Sequence, residues 1–346
     1  MTDETKTQVQ RPLLTTDHEL LPYKIMYPFR NILFPTDFTT HARAALKYAS
    51  AFARSGAGRV VLFSVQDAKV PENLLTLPER IFQEQENHWL LQVRSDVREL
   101  LADPLFSGLE VEPVIVEGDP ASAIARAVND YDIDLVTVVT HGRKGLSRAL
   151  WGSTAEDIIA EAPCPVLTIR PPQHDFVEHR EKRSEIHLNR VLLATNFRPS
   201  SVAATQVATQ LTYRTQAELH AVYVIGDYLE QLSVIFPEGG LSALKRLRSY
   251  VQEEMAQLTR DDGAHASAHI VEGRPYEEIV RLAAEQDADL IVIGANVHAS
   301  LFGGAPVLGS EIERVVRNAP CPVLCVPSAR VGTPLPARVT VPVPQT

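Results

Sequence analysis

Two clusters of polar and glycine residues in the first half of the chain have the types and spacing to hold a phosphorylated ligand. One is Pro35-Thr36-Asp37, directly after an apolar run. The other is Val139-Thr140-His141-Gly142-Arg143-Lys144-Gly145, which leads to Gly152-Ser153-Thr154 ahead of an amphipathic segment. Glycines let backbone amides approach phosphate oxygens, and a helix start adds unpaired N–H groups and the positive end of the helix dipole. The hydroxyls of Ser153 and Thr154 suit either an N-cap or a direct phosphate contact. Asp37 also reads two ways, as a ligand contact or as a turn residue capping the following helix. Arg143, Lys144 and Arg148 are solvated loop charge on the plain reading and steer phosphate on the sharper one. His141 has no nucleophile or orienting carboxylate beside it in the sequence, so it reads as a loop-ordering histidine rather than a base.

These clusters need elements to hold them. Ile32 to Pro35 reads as a strand, followed by a helix from about Thr40, with Ala45, Ala49, Phe52 and Ala53 at helical spacing and Gly56 at its C-cap. Further strands are expected at Val60–Val65, Glu110–Val116, Leu135–Val139 and Pro165–Ile169. Helices are expected at Pro78–Leu101, Ala121–Asn129 and Ser153–Ala162. The series then repeats. NILFPTDFT returns as RVLLATNFR, VIVEGDP as HIVEGRP, and APCPVLTI as APCPVLCV. The reading is an α/β chain of two tandem, doubly wound, five-stranded parallel-sheet domains, each with a core of its own. The expected units are an N-terminal arm (1–28), a first domain (29–171), a charged linker (172–187), a second domain (188–330) and a tail (331–346). In open parallel sheets, ligands bind beyond the carboxyl ends of the strands, where the strand order reverses. Both polar clusters follow strands in that way.

Composition excludes other classes. A formal net charge of −10 over 346 residues argues against a nucleic-acid binder and against adhesion to an anionic membrane. No apolar run approaches the ~20 residues that span a bilayer. Three cysteines make no disulfide framework, so the cytoplasm is the expected compartment. Cys164, Cys321 and Cys325 read as small buried hydrophobes, and the scattered histidines lack metal-ligand spacing. No metal site and no catalytic constellation is expected.

TDF after the first strand, THGRKG after the fourth, GST beyond it and PCPVL in the fifth strand resemble the universal stress protein family, in both halves of the chain. The resemblance implies a Rossmann-like fold of the adenine-nucleotide alpha-hydrolase type. It also implies a site for ATP, or for ADP or AMP, with Mg²⁺ between the phosphates. Carried over, the family's glycine pattern places its second and third glycines on Gly142 and Gly152, with Ser153 following. Asp37 matches the acidic residue near the nucleoside, and Val65 the residue whose backbone meets the adenine edge. The first glycine falls on Val139, a departure that crowds the ribose or α-phosphate. In the second copy Gly294 restores that glycine, but Val297 replaces the second and Asn196 stands for Asp37. Nucleotide is therefore expected mainly in the first copy, with hydrolysis at most slow. A tandem scaffold acting through protein contacts is the alternative. An adenylate-forming enzyme would need a second substrate pocket, which no residues demand. The resemblance further implies that the two fifth strands pair, giving an intramolecular pseudo-dimer and leaving room for a homodimer of tandem chains.

Overall fold

In a computed structural model of the protein, the described residues are 27–66, 91–140, 153–171, 174–180, 183–226, 237–261, 266–295, 297–298 and 307–328. The arm before Tyr27, the tail after Ser328 and the Leu301–Pro306 insert lie outside them, as do His141, Gly142, Arg143, Gly145 and Gly152.

The first copy contributes β1 (Asn31–Pro35), α1 (Arg43–Ser55), β2 (Arg59–Gln66), α2 (residues 91–101), β3 (Glu110–Glu117), α3 (Pro120–Asp130), β4 (Leu135–Val139), α4 (Ser153–Glu161) and β5 (Val166–Ile169). A hairpin follows, β6 (Val177–Arg180) with β7 (Arg183–Ile186). The second copy contributes β8 (Arg190–Ala194), α5 (Pro199–Thr215), β9 (Glu218–Gly226), α6 (Pro237–Asp261), β10 (Ala266–Gly273) and α7 (Pro275–Glu285). It ends with β11 (Leu290–Ala295), the short pair β12 (Val297–His298) and β13 (Val307–Leu308), α8 (Ser310–Asn318) and β14 (Val323–Pro327).

Ten strands form one sheet in the order β10-β9-β8-β11-β14-β5-β4-β1-β2-β3. Pairing is parallel within each copy and antiparallel at the centre, where Val323 faces Thr168, Leu324 faces Leu167 and Cys325 faces Val166. The fifth strands thus meet as the resemblance implies. Because the halves run in opposite directions, their carboxyl ends leave the sheet at opposite edges.

Alternation along the strands assigns each side chain to one of two faces. Ile32, Phe34, Leu62, Leu167, Leu193, Leu290 and Leu324 pack with α1 and α5 on one face. Leu33, Val61, Phe63, Val166, Leu192, Ile291 and Val323 pack with α3, α4, α7 and α8 on the other. Each cluster runs through both copies. This corrects the expectation of a separate core for each copy, since the β5–β14 seam joins the apolar faces side by side.

The charged stretch read as a linker does connect the halves, but Val177–Arg180 and Arg183–Ile186 pair as strands. Phe176, 1% exposed, lies edge-on to Tyr48 at 5.1 Å and near Phe52 at 6.2 Å. Asp175 takes a hydrogen bond from the Tyr48 hydroxyl at 2.9 Å and an ion pair from Lys47. Dense charge on the exposed positions hides this anchor in the sequence.

Gly118 and Gly273, at matching places before α3 and α7, have φ of +138° and +143°. L side chains rarely adopt that backbone, which explains why glycine recurs there.

Candidate functional site

β1 lies between β2 and β4, so the strand order reverses between β1 and β4. The residues leaving these strands are Pro35-Thr36-Asp37 from β1 and Val139-Thr140 from β4, with Val65 near the end of β2. The structure therefore brings these six predicted positions to one edge of the sheet on three neighbouring strands. Of the others, Ser153 opens α4 and Thr154 is exposed in its first turn. His141, Gly142, Arg143, Gly145 and Gly152 lie outside the described residues.

Thr36 is buried, and its amide donates to the Phe63 carbonyl at 2.9 Å, continuing the ladder past β1. Its Oγ1 accepts from the Phe38 amide at 2.9 Å. Phe38 has a φ of +62°, and this bond helps hold the turn. Asp37 is exposed, and its Oδ1 accepts from the Thr39 amide at 3.0 Å and from the Thr39 hydroxyl at 2.6 Å. Helix α1 begins six residues later, with Ala42 at its N-cap and no side-chain cap. Asp37 therefore shapes a local turn and does not cap the helix. Its second oxygen has no hydrogen-bond partner among the described residues. Thr140 is buried and bonds Ile169, its amide donating at 2.7 Å and its hydroxyl at 3.4 Å to the same carbonyl.

The second copy builds the same turn with different chemistry. Thr195 Oγ1 accepts from the Phe197 amide at 3.2 Å, and Phe197 again has a positive φ, +56°. Asn196 Oδ1 accepts from the Arg198 amide at 3.1 Å and from the Ser201 hydroxyl at 2.7 Å. The Asn196 amide donates to Ser201 Oγ at 3.2 Å, so this turn is locked onto α5. Helix α5 starts at Pro199, three residues after Asn196. A Cβ on Gly294 would stand 2.5 Å from the Ser200 carbonyl and 2.8 Å from the Ser201 nitrogen. That glycine lets the first turn of α5 close onto the end of β11. Val139 holds the matching place in copy one and packs against the core. There residues 40–42 form a turn of mixed spacing and α1 starts only at Arg43.

Two features escaped sequence reasoning. His220, Ser267 and His269 form a polar trio on β9 and β10, with Ser267 Oγ 2.9 Å from His220 Nδ1 and 3.3 Å from His269 Nε2. Copy one has Val61, Glu112 and Val114 at these places, a contrast visible once the copies are aligned. The second is an ion cluster in which Arg317 of α8 reaches Glu156 of α4; no sequence signal marks a contact between these helices.

The cysteines are buried, and burial pushes the Cys321 and Cys325 thiols up to about 12, as it also raises Cys164. They fill space, as small hydrophobes do. Among the described residues no group of three or more His, Cys, Asp or Glu is placed to hold a metal, and no helix is long and apolar enough to cross a membrane. A polar cleft of about 910 Å³ opens between β7 and the C-terminal ends of α1 and α5, lined by Tyr27, Arg54, His187 and Arg214. Its lining includes Gly58, Leu109 and Asn189, which directly precede β2, β3 and β8, and none of the residues of the polar turns described above.

An open sheet with polar turns at its switch points defines a protein of the Rossmann-like nucleotide-fold class. Residues 28–170 and 187–327 each match the universal stress protein family, and the chain belongs to that family. Among its relatives, universal stress protein MJ0577 of Methanocaldococcus jannaschii is 27% identical over 154 residues, covering 41% of this chain and 95% of that one. Universal stress protein Rv2005c of Mycobacterium tuberculosis is 28% identical over 222 residues, 62% of this chain and 68% of that one. In fold, the chain is similar to a universal stress protein from Archaeoglobus fulgidus, with a TM-score of 0.57 and 20% identity, over 86% of this chain and 98% of that chain.

Proposed function

We propose that this protein is a stress-response regulator whose first copy binds ATP or a related adenine nucleotide, while its second copy has given up that role. The observation that carries this reading is the contrast between Asp37 and Asn196. Asp37 presents an exposed carboxylate with one oxygen unpaired among the described residues, at the switch point of its sheet. Asn196 has no charge, and its oxygen is occupied by Arg198 and Ser201. A carboxylate at this edge suits the hydroxyls of a ribose, and the start of α4 suits phosphate. The reading assigns Pro35, Thr36, Asp37, Val65, Val139 and Thr140 to the nucleoside, and their gathering at one sheet edge supports it. His141, Gly142, Arg143, Gly145, Gly152, Ser153 and Thr154 are assigned to the phosphates on the family's pattern. A Mg²⁺ ion would arrive on the phosphates and neutralise part of their charge.

On this reading the nucleotide is bound rather than turned over, and any hydrolysis is slow. The copies meet through β5 and β14 within one chain, and a homodimer of two chains would need a different surface.

Mass spectrometry of nucleotide released from the purified protein, followed by calorimetric titration with ATP, ADP and AMP, tests the reading. Wild-type protein is expected to bind one adenine nucleotide per chain. Asp37→Asn should weaken binding at least tenfold, and Gly142→Val should abolish it. No bound nucleotide and no titration signal would instead favour the tandem scaffold, for which Val139 at the first glycine position is the supporting observation.

A further inference from the structure

Helices α4 and α8 lie on the same face of the sheet, one from each copy, beside the β5–β14 seam. Arg317, in the last turn of α8, bonds Glu156 Oε1 of α4 at 2.6 Å and Glu313 Oε1 of its own helix at 2.6 Å. Glu156 lies in the first turn of α4, roughly 4.5 Å along the axis from Ser153 at 1.5 Å rise per residue. The residue of α4 that matches Arg317 is Ala160, so the bridge runs one way, from copy two into copy one.

An acidic residue in a first helical turn normally steadies the positive end of the helix dipole. At a helix start that receives phosphate, the same carboxylate competes with the ligand. We propose that Arg317 is a positioning residue for the nucleotide site of the other copy: shared between Glu156 and Glu313, it ties Glu156 down and offsets part of its charge, so that the start of α4 repels the phosphates less. This inference rests on the nucleotide-binding reading of copy one. Glu156 is part-buried and Arg317 exposed, at 26% and 42%, so their charges act at short range under partial solvent screening. Burial pushes the Glu156 carboxyl above its ordinary value, and the Arg317 hydrogen bond opposes that rise. The altered second copy thereby retains a use, as the source of a cation for the first.

The test compares ATP with adenosine, which carries no phosphate, on full-length protein. Arg317→Gln should weaken ATP binding roughly three- to tenfold at low ionic strength, as expected for unscreened charge within about 8–10 Å, and leave adenosine binding unchanged. In 0.5 M NaCl the ATP difference should shrink below about twofold. Arg317→Lys should retain most of the affinity, and Glu156→Gln added to Arg317→Gln should restore it. Equal loss of ATP and adenosine, no loss of either, or no rescue by Glu156→Gln each overturns the inference while the binding reading stands. Wild-type protein that binds neither ligand overturns the binding reading, and this inference with it.

Discussion

The turns after β1 and β8 have the same backbone and opposite commitments. Both put threonine, then Asp or Asn, then phenylalanine at positive φ, and both close with a side-chain oxygen on the amide two residues ahead. They differ in what comes next. In copy two, Ser201 joins the turn to α5, Gly294 lets the helix close onto the strand, and Phe197 stacks on Tyr223 at 5.4 Å. In copy one, Val139 and Ser64 hold the places of Gly294 and Tyr223, the helix starts three residues later in the aligned frame, and Asp37, exposed like Asn196, bonds only to Thr39 among the described residues. One copy has tied its turn to the following helix, and the other has not. In copy two the retained motif glycine serves helix packing, so a motif glycine does not by itself mark a ligand site.

The comparison breaks most readily at the seam. Leu324 is fully buried opposite Leu167, and Leu324→Ala should cost about 2–5 kcal/mol. Because both cores cross the seam, a single unfolding transition should move as a whole in calorimetry. Hydrogen exchange should show amides of β1 and β8 losing protection together. Two separate transitions, with only one displaced, would show that the copies fold independently after all.

Gly294→Val places the residue of copy one into copy two. The branched side chain meets the Ser200 and Ser201 backbone, and overpacking of this kind costs about 1–3 kcal/mol. Denaturant unfolding would measure it. A neutral outcome would mean that α5 can retreat as α1 has done, and that the difference between the two helix starts is easily reversed.

The smallest effect is expected at His269, where copy one carries Val114. Burial and, next, the neighbouring His220 hold the His269 imidazole below its ordinary value. The unfolded chain therefore binds a proton more readily than the folded one. This contribution to stability is present above the ordinary histidine pKa of ~6.5 and is lost as pH falls below it, toward the lower folded value. His269→Val should make the fall in Tm between pH 7 and pH 5 shallower. An unchanged slope would assign the acid sensitivity to other groups.

Much of the fold was legible because apolar strands and capped helices are local signals. Leu135–Val139 was bounded correctly from sequence, and the other strands in the first copy within about a residue. The recurrence of Gly118 and Gly273 encoded a backbone requirement that the φ values display. The gathering of Pro35, Thr36, Asp37, Val65, Val139 and Thr140 at one edge was legible as well, because residues at the ends of neighbouring parallel strands must emerge together. The shared core was not, since apolar faces do not announce whether they end at a domain boundary. The hairpin was hidden by surface charge, with Phe176 and Val177 too few to set a period. Arg317 could not be found at all, since its partner lies 161 positions away on the other copy.

The antiparallel meeting of β5 and β14 also frees the protein from mass action. Two separate chains joined along such a strand would come apart on dilution, and every substitution would fall on both sides of the dyad at once. In a single chain, the local concentration of one half around the other is set by the connecting segment, whatever the abundance of the protein. Each side can then change alone while the other supplies an intact partner. An asymmetric pair of edges is the kind of divergence that such a covalent union permits.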